Sequence, residues 1–242
     1  MTRVSVAMAV YNGGKYLNEQ MGSIINQLTE NDELVVSDNM STDDSREIIL
    51  SYAKTYSNIR VVECGEQGIV ANFENAIQQS AGDYIFLADQ DDVWKENKIQ
   101  RVLETFEETG ADLILHDCEY VDEHLNPLYK TLFKDRHAKP GFSRNLWYNA
   151  YQGCCMAFGK ELVPLVCPMP RDIAMHDQWI GLLTEKAGTV VFLPESLLLY
   201  RKHAGSNSSN HLGLAKKHKF IRKMKHDIKE RIKGNTESTN EE

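Results

Sequence analysis

Three carboxylates, Asp89, Asp91 and Asp92, stand within four residues directly after the apolar run DYIFLA. Carboxylates this close raise one another's pKa unless something offsets their charge. A hard divalent cation with oxygen ligands would do so, and would keep coordination sites open for a diphosphate. One Asp is enough to cap the helix that follows. Three exceed that need, so the cluster reads as metal-binding. Other apolar runs also end in groups that could bind: Tyr11 and Asn12 follow VSVAMAV, and Asp38 and Asn39 follow ELVVS. Asp177, in His176-Asp177, offers a carboxylate suited to general-base work or to capping the helix after it. His203 follows a strand-like run and suits a metal or phosphate as well as a solvated turn. Asp117 faces either a substrate or solvent, and the adjacent His116 lacks the ligand spacing of a zinc site. Trp147 and Tyr148, near Gly153, could stack on a sugar or pack in the core.

These groups need a scaffold, and apolar periodicity supplies one. Strands are expected at Arg3–Val10, Glu33–Ser37, Ile59–Glu63, Asp83–Ala88 and Leu113–His116. Helices are expected near 15–29, after Ser41-Thr42-Asp43-Asp44, and near 69–80 and 95–109. This alternation predicts an α/β fold with a mostly parallel sheet flanked by helices. Ligands of such sheets lie at the carboxyl ends of the strands, where the candidate residues fall. The second half is less regular. A long loop with a short helix is expected over 134–150, a helix over 178–187, and strands at Val190–Leu193 and Ser196–Tyr200. The expected organisation is a single domain, 1–212, with a donor half at 1–117 and an acceptor half at 118–212. A basic helix over 213–233 and a disordered tail over 234–242 follow it.

Composition narrows the function further. The chain has 242 residues and a net charge of −8. Residues 214–233 hold nine Lys/Arg against Asp227 and Glu230, a net of +7, so the other 222 residues carry −15. A nucleic-acid-binding body is excluded on that balance. In the basic segment Ile221, Met224, Ile228 and Ile232 share one helical face. Such an amphipathic helix can lie on an anionic membrane or pack on the body. The five cysteines, without CxxC, read as reduced thiols of a cytoplasmic protein. Neither a secretory leader nor a membrane span is expected. A phosphate-binding P-loop would need Gly at 9 and Ser or Thr at 16, where Ala9 and Tyr16 stand. No GxGxxG follows the first strand either.

Five ordered segments resemble the family 2 glycosyltransferases, with the GT-A type of Rossmann-like fold. VSVAMAVYNG resembles the opening strand, and VVSDNMSTDDS resembles the family's VVVDDGSTDDT. FLADQDDVW resembles its DxD strand end, in a form familiar from rhamnosyltransferase-like bacterial polysaccharide enzymes. HDQW resembles the segment that carries the catalytic Asp, and YRKHAGSNS resembles YRxHxxN. The resemblance implies an inverting transfer from a nucleoside-diphosphate sugar, UDP- or dTDP-linked, to a glycan or lipid-linked glycan hydroxyl. It assigns Ala9, Tyr11, Asp38, Asn39, Asp89 and Gln90 to the donor. Asp91, with His203, falls on a Mg²⁺ or Mn²⁺ ion, and Asp177 becomes the base. Asp117, Trp147, Gly153 and His176 are candidates for facing the sugar or acceptor. In this chain Asn39 replaces a second Asp, and Met40 replaces a Gly. The first is expected to weaken ribose contacts. The second is expected to change the local backbone, because Met avoids positive φ.

Two other functions compete with this reading. A nucleotidyltransferase would want a Gly- and Lys-rich phosphate loop, which is missing. A non-catalytic nucleotide-sugar or carbohydrate-binding module would need no base such as Asp177. The expected location is cytoplasmic, with peripheral contact at the inner face of the cell membrane.

Overall fold

The computed structural model describes residues 2–203 and 214–239, with side chains of the last helix over 217–235. The first half follows the expected alternation: β1 Val4–Val10, α1 Gly14–Ile25, β2 Glu33–Asp38, α2 Ser45–Thr55, β3 Ile59–Glu63, α3 Ile69–Gln79 and β4 Tyr84–Ala88. A short β5, Val93–Trp94, precedes α4, Lys98–Thr109, and α4 stops at Gly110 with φ 62°, a left-handed cap. β1 is buried along all of its length, as a central strand covered by helices on both faces must be. On α1, Tyr16, Leu17, Met21 and Ile24 are buried as one stripe.

The second half departs from the expectation. β6, Leu113–Val121, is longer than predicted, so the division proposed at 117/118 falls inside a strand. β7, Pro127–Thr131, had no clear signal, since it is exposed and starts at a proline. The loop with a short helix expected over 134–150 holds α6, Phe142–Trp147, and in addition the end of α5, Leu132–Arg136. β8, Met156–Gly159, was not anticipated; it is followed by α7, Val163–Val166, and α8, His176–Ala187. The two strands expected after α8 are one, β9 Val190–Arg201, whose register against β6 shifts between Leu193 and Ser196.

Among the described residues the nine strands form one sheet, ordered β3-β2-β1-β4-β8-β6-β9-β5, with β7 beside β6. β1 to β4 pair in parallel, as do β6 and β9. β8 enters antiparallel between β4 and β6, so the sheet is mixed and not uniformly parallel. α9, Leu214–Thr239, runs past the expected end at 233; residues 234–239 continue the helix, and 240–242 lie outside the described residues. Ile221, Met224 and Ile228 of α9 are buried in the main core. The apolar stripe therefore packs on the body and is not a membrane-inserting face.

Candidate active site

The ends of β1, β2, β4 and β9 open, with α6, α8 and α9, onto a cavity of about 1510 Å³. That exceeds the few hundred Å³ of a single small-ligand site and suits two substrates. Ala9, Tyr11, Asn39, Asp89, Gln90, Asp91, Trp147, Gly153, His176, Asp177 and His203 all line it. These residues span nearly the whole described chain, and the fold brings them together. Asp38 and Asp117 are not on the cavity wall. Asp38 is buried, and its Oδ1 accepts from Ser41 N and Oγ at 3.3 and 2.6 Å. Asp117 Oδ1 accepts from the backbone N–H of Cys118 and Phe133 and so orders the start of α5.

The acidic turn is held from both sides. Gln20 Nε2 donates to Asp89 O at 2.7 Å. Gln90 does not extend freely into the cavity: its Oε1 accepts from Tyr11 N at 2.7 Å, and its Nε2 donates to Tyr11 O at 3.1 Å. That amide joins the end of β4 to the end of β1 as a backbone partner would. The contact needs a glycine, because a Cβ on Gly13 would lie 2.4 Å from Gln90 Cδ.

Asp91 Oδ2 meets His203 Nε2 at 2.8 Å, the pairing expected of two ligands to one centre. Burial, with the charges of Asp91 and Asp177, pushes the half-buried Asp89 carboxyl up to about 7. A bound cation would remove this repulsion. Asp91 and His203 meet as a pair, while among the described residues the group of three whose ligand atoms lie within 4.8 Å of one another is Asp89, Asp92 and Cys154. Asp92 is also held by the backbone. It is fully buried, and its Oδ1 accepts from Arg201 N at 3.0 Å. Burial and its acidic neighbours push its carboxyl well up.

Arg201, a residue the motif alone did not single out, ties this turn together. Its guanidinium donates to Asp91 O and Glu123 O, each at 2.7 Å, and pairs with Glu19. Beneath the turn, buried Lys98 donates to Cys154 O at 2.7 Å, with its ammonium 3.8 Å from the Trp94 ring centroid. Burial brings its pKa down to about 8. All five cysteines are free and buried, as structural thiols would be.

Asn39 has a structural task, and Met40 corrects the expectation drawn from its replacement. Asn39 Nδ2 donates to Cys64 O at 3.3 Å and Glu66 O at 2.8 Å, and Oδ1 accepts from Gly68 N at 2.9 Å. The amide thus straps down the loop over 64–68, whose Gln67 and Gly68 also line the cavity. An Asp could not donate to those carbonyls. Met40 takes φ 61° despite its side chain, so the left-handed backbone is kept. The turn closed by Ser41 on Asp38 compels it.

Asp177 lies in the first turn of α8, buried, with Oδ1 accepting from Gln178 N at 2.5 Å. Burial raises its pKa, and the nearby Arg136 guanidinium opposes that rise. Arg136 lines the cavity too, and donates to Tyr151 O and Gln152 Oε1, each at 2.7 Å. A lone arginine in an irregular stretch carried no signal in the sequence. His176 stacks on Phe73 with centroids 3.8 Å apart, and burial drives its pKa down to about 3, so the ring is neutral. A Cβ on Gly153 would sit 2.5 Å from His176 Nε2, which explains the glycine. Trp147 is 37% exposed and Tyr148 65%, so these rings face the cavity mouth and not the core. Lys217 of α9 lies 5.1 Å from the Tyr148 ring centroid.

Residues 5–164 match the family described as Glycosyl transferase family 2. The chain belongs to that family. TuaG of Bacillus subtilis, whose name places it in teichuronic acid biosynthesis, is 28% identical over 90% of this chain and 86% of its own length. The glycosyltransferase GlyG of Streptococcus pneumoniae is 34% identical over 50% of this chain, a match that spans 40% of GlyG. Among solved structures, S. aureus TarS in complex with UDP-GlcNAc superposes with a TM-score of 0.72 at 18% identity, over 93% of this chain and 65% of that one. The Pyrobaculum calidifontis mannosyltransferase PcManGT, in complex with GDP-Man and Mn²⁺, gives 0.62 at 18% identity, over 86% and 58%. These likenesses establish the GT-A-like fold. The chain spans less than two thirds of the length of the first curated relatives it matches, and its described C-terminal helix packs on the body. Among the described residues no helix is long and apolar enough to cross a membrane.

Proposed function

We propose that the chain is a metal-dependent, inverting glycosyltransferase of bacterial surface-polysaccharide synthesis. It takes a UDP- or dTDP-sugar as donor and a glycan or lipid-linked glycan hydroxyl as acceptor. The observation that carries this reading is the convergence of Asp89, Asp91, His203 and Asp177 on one cavity. The solved neighbours support it, since one was captured with UDP-GlcNAc and another with GDP-Man and Mn²⁺.

Tyr11, exposed at the end of β1, offers its ring to the nucleobase, and the loop strapped by Asn39 borders that end of the cavity. Asp91 and His203 would hold Mg²⁺ or Mn²⁺, which would supply positive charge against the leaving diphosphate. Trp147 and Tyr148 present faces to the acceptor sugar. Asp177 takes the proton from the attacking hydroxyl, and its burial makes it a stronger base than a solvated carboxylate. Attack opposite the departing diphosphate inverts the anomeric centre. Work at the cytoplasmic face of the membrane follows from where nucleotide sugars are made.

Asp177→Asn tests this reading. It should keep nucleotide binding and lower transfer at least about 100-fold, within the range general-base catalysis supplies. Unchanged transfer would remove Asp177 from the reaction.

A further inference from the structure

Part of α9 is committed to the body. Ile221, Met224 and Ile228 are buried, Arg231 donates to the carbonyls of Leu165 and Pro168, and Lys223 bridges Asp172 and Asp227. At 3.6 residues per turn, one flank beside the buried stripe carries Lys219, Arg222, Lys225 and Lys229, all exposed. His226 shares that flank, and Glu230 stands at its edge; His218 packs edge-on against Trp147 with centroids 5.0 Å apart. The same helix reaches the cavity, which Lys217, Phe220 and Ile221 help to line.

We propose that this exposed flank of α9 docks on an anionic lipid surface by headgroup charge alone. An interfacial helix that inserts must spend its apolar face in the bilayer. Here that face is spent on the core, so insertion would first require the helix to leave the body. Electrostatic adsorption needs no such step. The charge distribution favours a plane over a flexible polyanion. Outside 214–233 the chain carries −15, and a long anionic polymer wrapping it would meet that charge. A flat surface touches a convex helix along one basic line. If the proposed reaction uses a membrane-anchored acceptor, docking would hold the cavity close to it; the docking itself does not depend on that reading.

Sedimentation of the full chain with vesicles tests the proposal. Binding is expected to phosphatidylcholine mixed with phosphatidylglycerol, not to phosphatidylcholine alone, and it should vanish at high salt. The quadruple variant Lys219→Glu, Arg222→Glu, Lys225→Glu, Lys229→Glu should bind anionic vesicles more than about tenfold more weakly. These four residues lie outside the cavity, so melting temperature and nucleotide binding should not change. Equal binding to neutral vesicles, binding that survives high salt, or no effect of the variant would overturn the proposal. Tighter binding to duplex DNA than to anionic vesicles would overturn it as well. Each of these failures would leave nucleotide binding intact, so the site reading stands or falls separately.

Discussion

Asn39→Asp moves the chain toward the residue its family most often carries, so resemblance alone predicts a neutral or helpful change. The structure predicts damage. The amide makes three hydrogen bonds to the loop over 64–68 from a side chain that is almost fully buried. An aspartate keeps the acceptor for Gly68 N but puts a second oxygen against the carbonyls of Cys64 and Glu66. Two bonds worth about 1 kcal/mol each are lost, and carbonyls left unsatisfied cost about 1–3 kcal/mol more. The expected loss at pH 8 is therefore about 3–5 kcal/mol. The sign of its pH dependence follows from linkage. Burial against carbonyls raises the folded-state pKa of the new carboxyl above its unfolded value. Its protonated form can donate once, so the penalty is least below the unfolded pKa. It grows as pH rises and is complete above the folded pKa. Urea unfolding of both proteins at acidic and alkaline pH measures this, and nucleotide affinity should fall in parallel. A variant as stable as the parent at pH 8, or one that loses stability on acidification relative to the parent, would refute the strap.

Other substitutions test separate parts of the site. Gln90→Ala removes both bonds to Tyr11 and should cost about 1–3 kcal/mol of stability. It should weaken nucleotide binding with little effect on the rate at saturation, which titration and steady-state kinetics separate. The rate of transfer should fall as pH drops through the raised pKa of Asp177, because the protonated carboxyl cannot accept the hydroxyl proton. Arg136→Met removes the charge that opposes the rise and should move this acidic limb to higher pH. A shift to lower pH in the kcat/KM profile would contradict the assignment.

The donor half of the site was legible from local pattern. Apolar runs of strand length end in Tyr11, Asn39 and Asp89, and strand ends are where parallel sheets hold ligands. The acceptor half was not. β8 is four residues, buried throughout, and gives neither an alternating pattern nor a turn signal of its own. Its antiparallel place between β4 and β6 is set by tertiary packing. Arg136 and Arg201 act through carbonyls far away in the chain, and no local spacing announces such partners. The apolar stripe of α9 was visible in the sequence, but whether protein or lipid would cover it was not. Family pattern misled in one respect: replacing a Gly with Met40 suggested a changed backbone, yet the turn at Asp38–Ser41 holds φ at 61°.

The central claim is that one cavity binds a nucleoside diphosphate together with a divalent cation through Asp91 and His203. A thermal-shift panel of UDP, dTDP, GDP and CDP, each with and without Mn²⁺, measures it directly. At about 100 times its dissociation constant a ligand adds about 2.7 kcal/mol, enough for a clear rise in melting temperature. The account predicts such a rise for UDP or dTDP only when Mn²⁺ is present, and its loss in Asp91→Asn. No shift with any nucleotide, or an equal shift without metal, would contradict it.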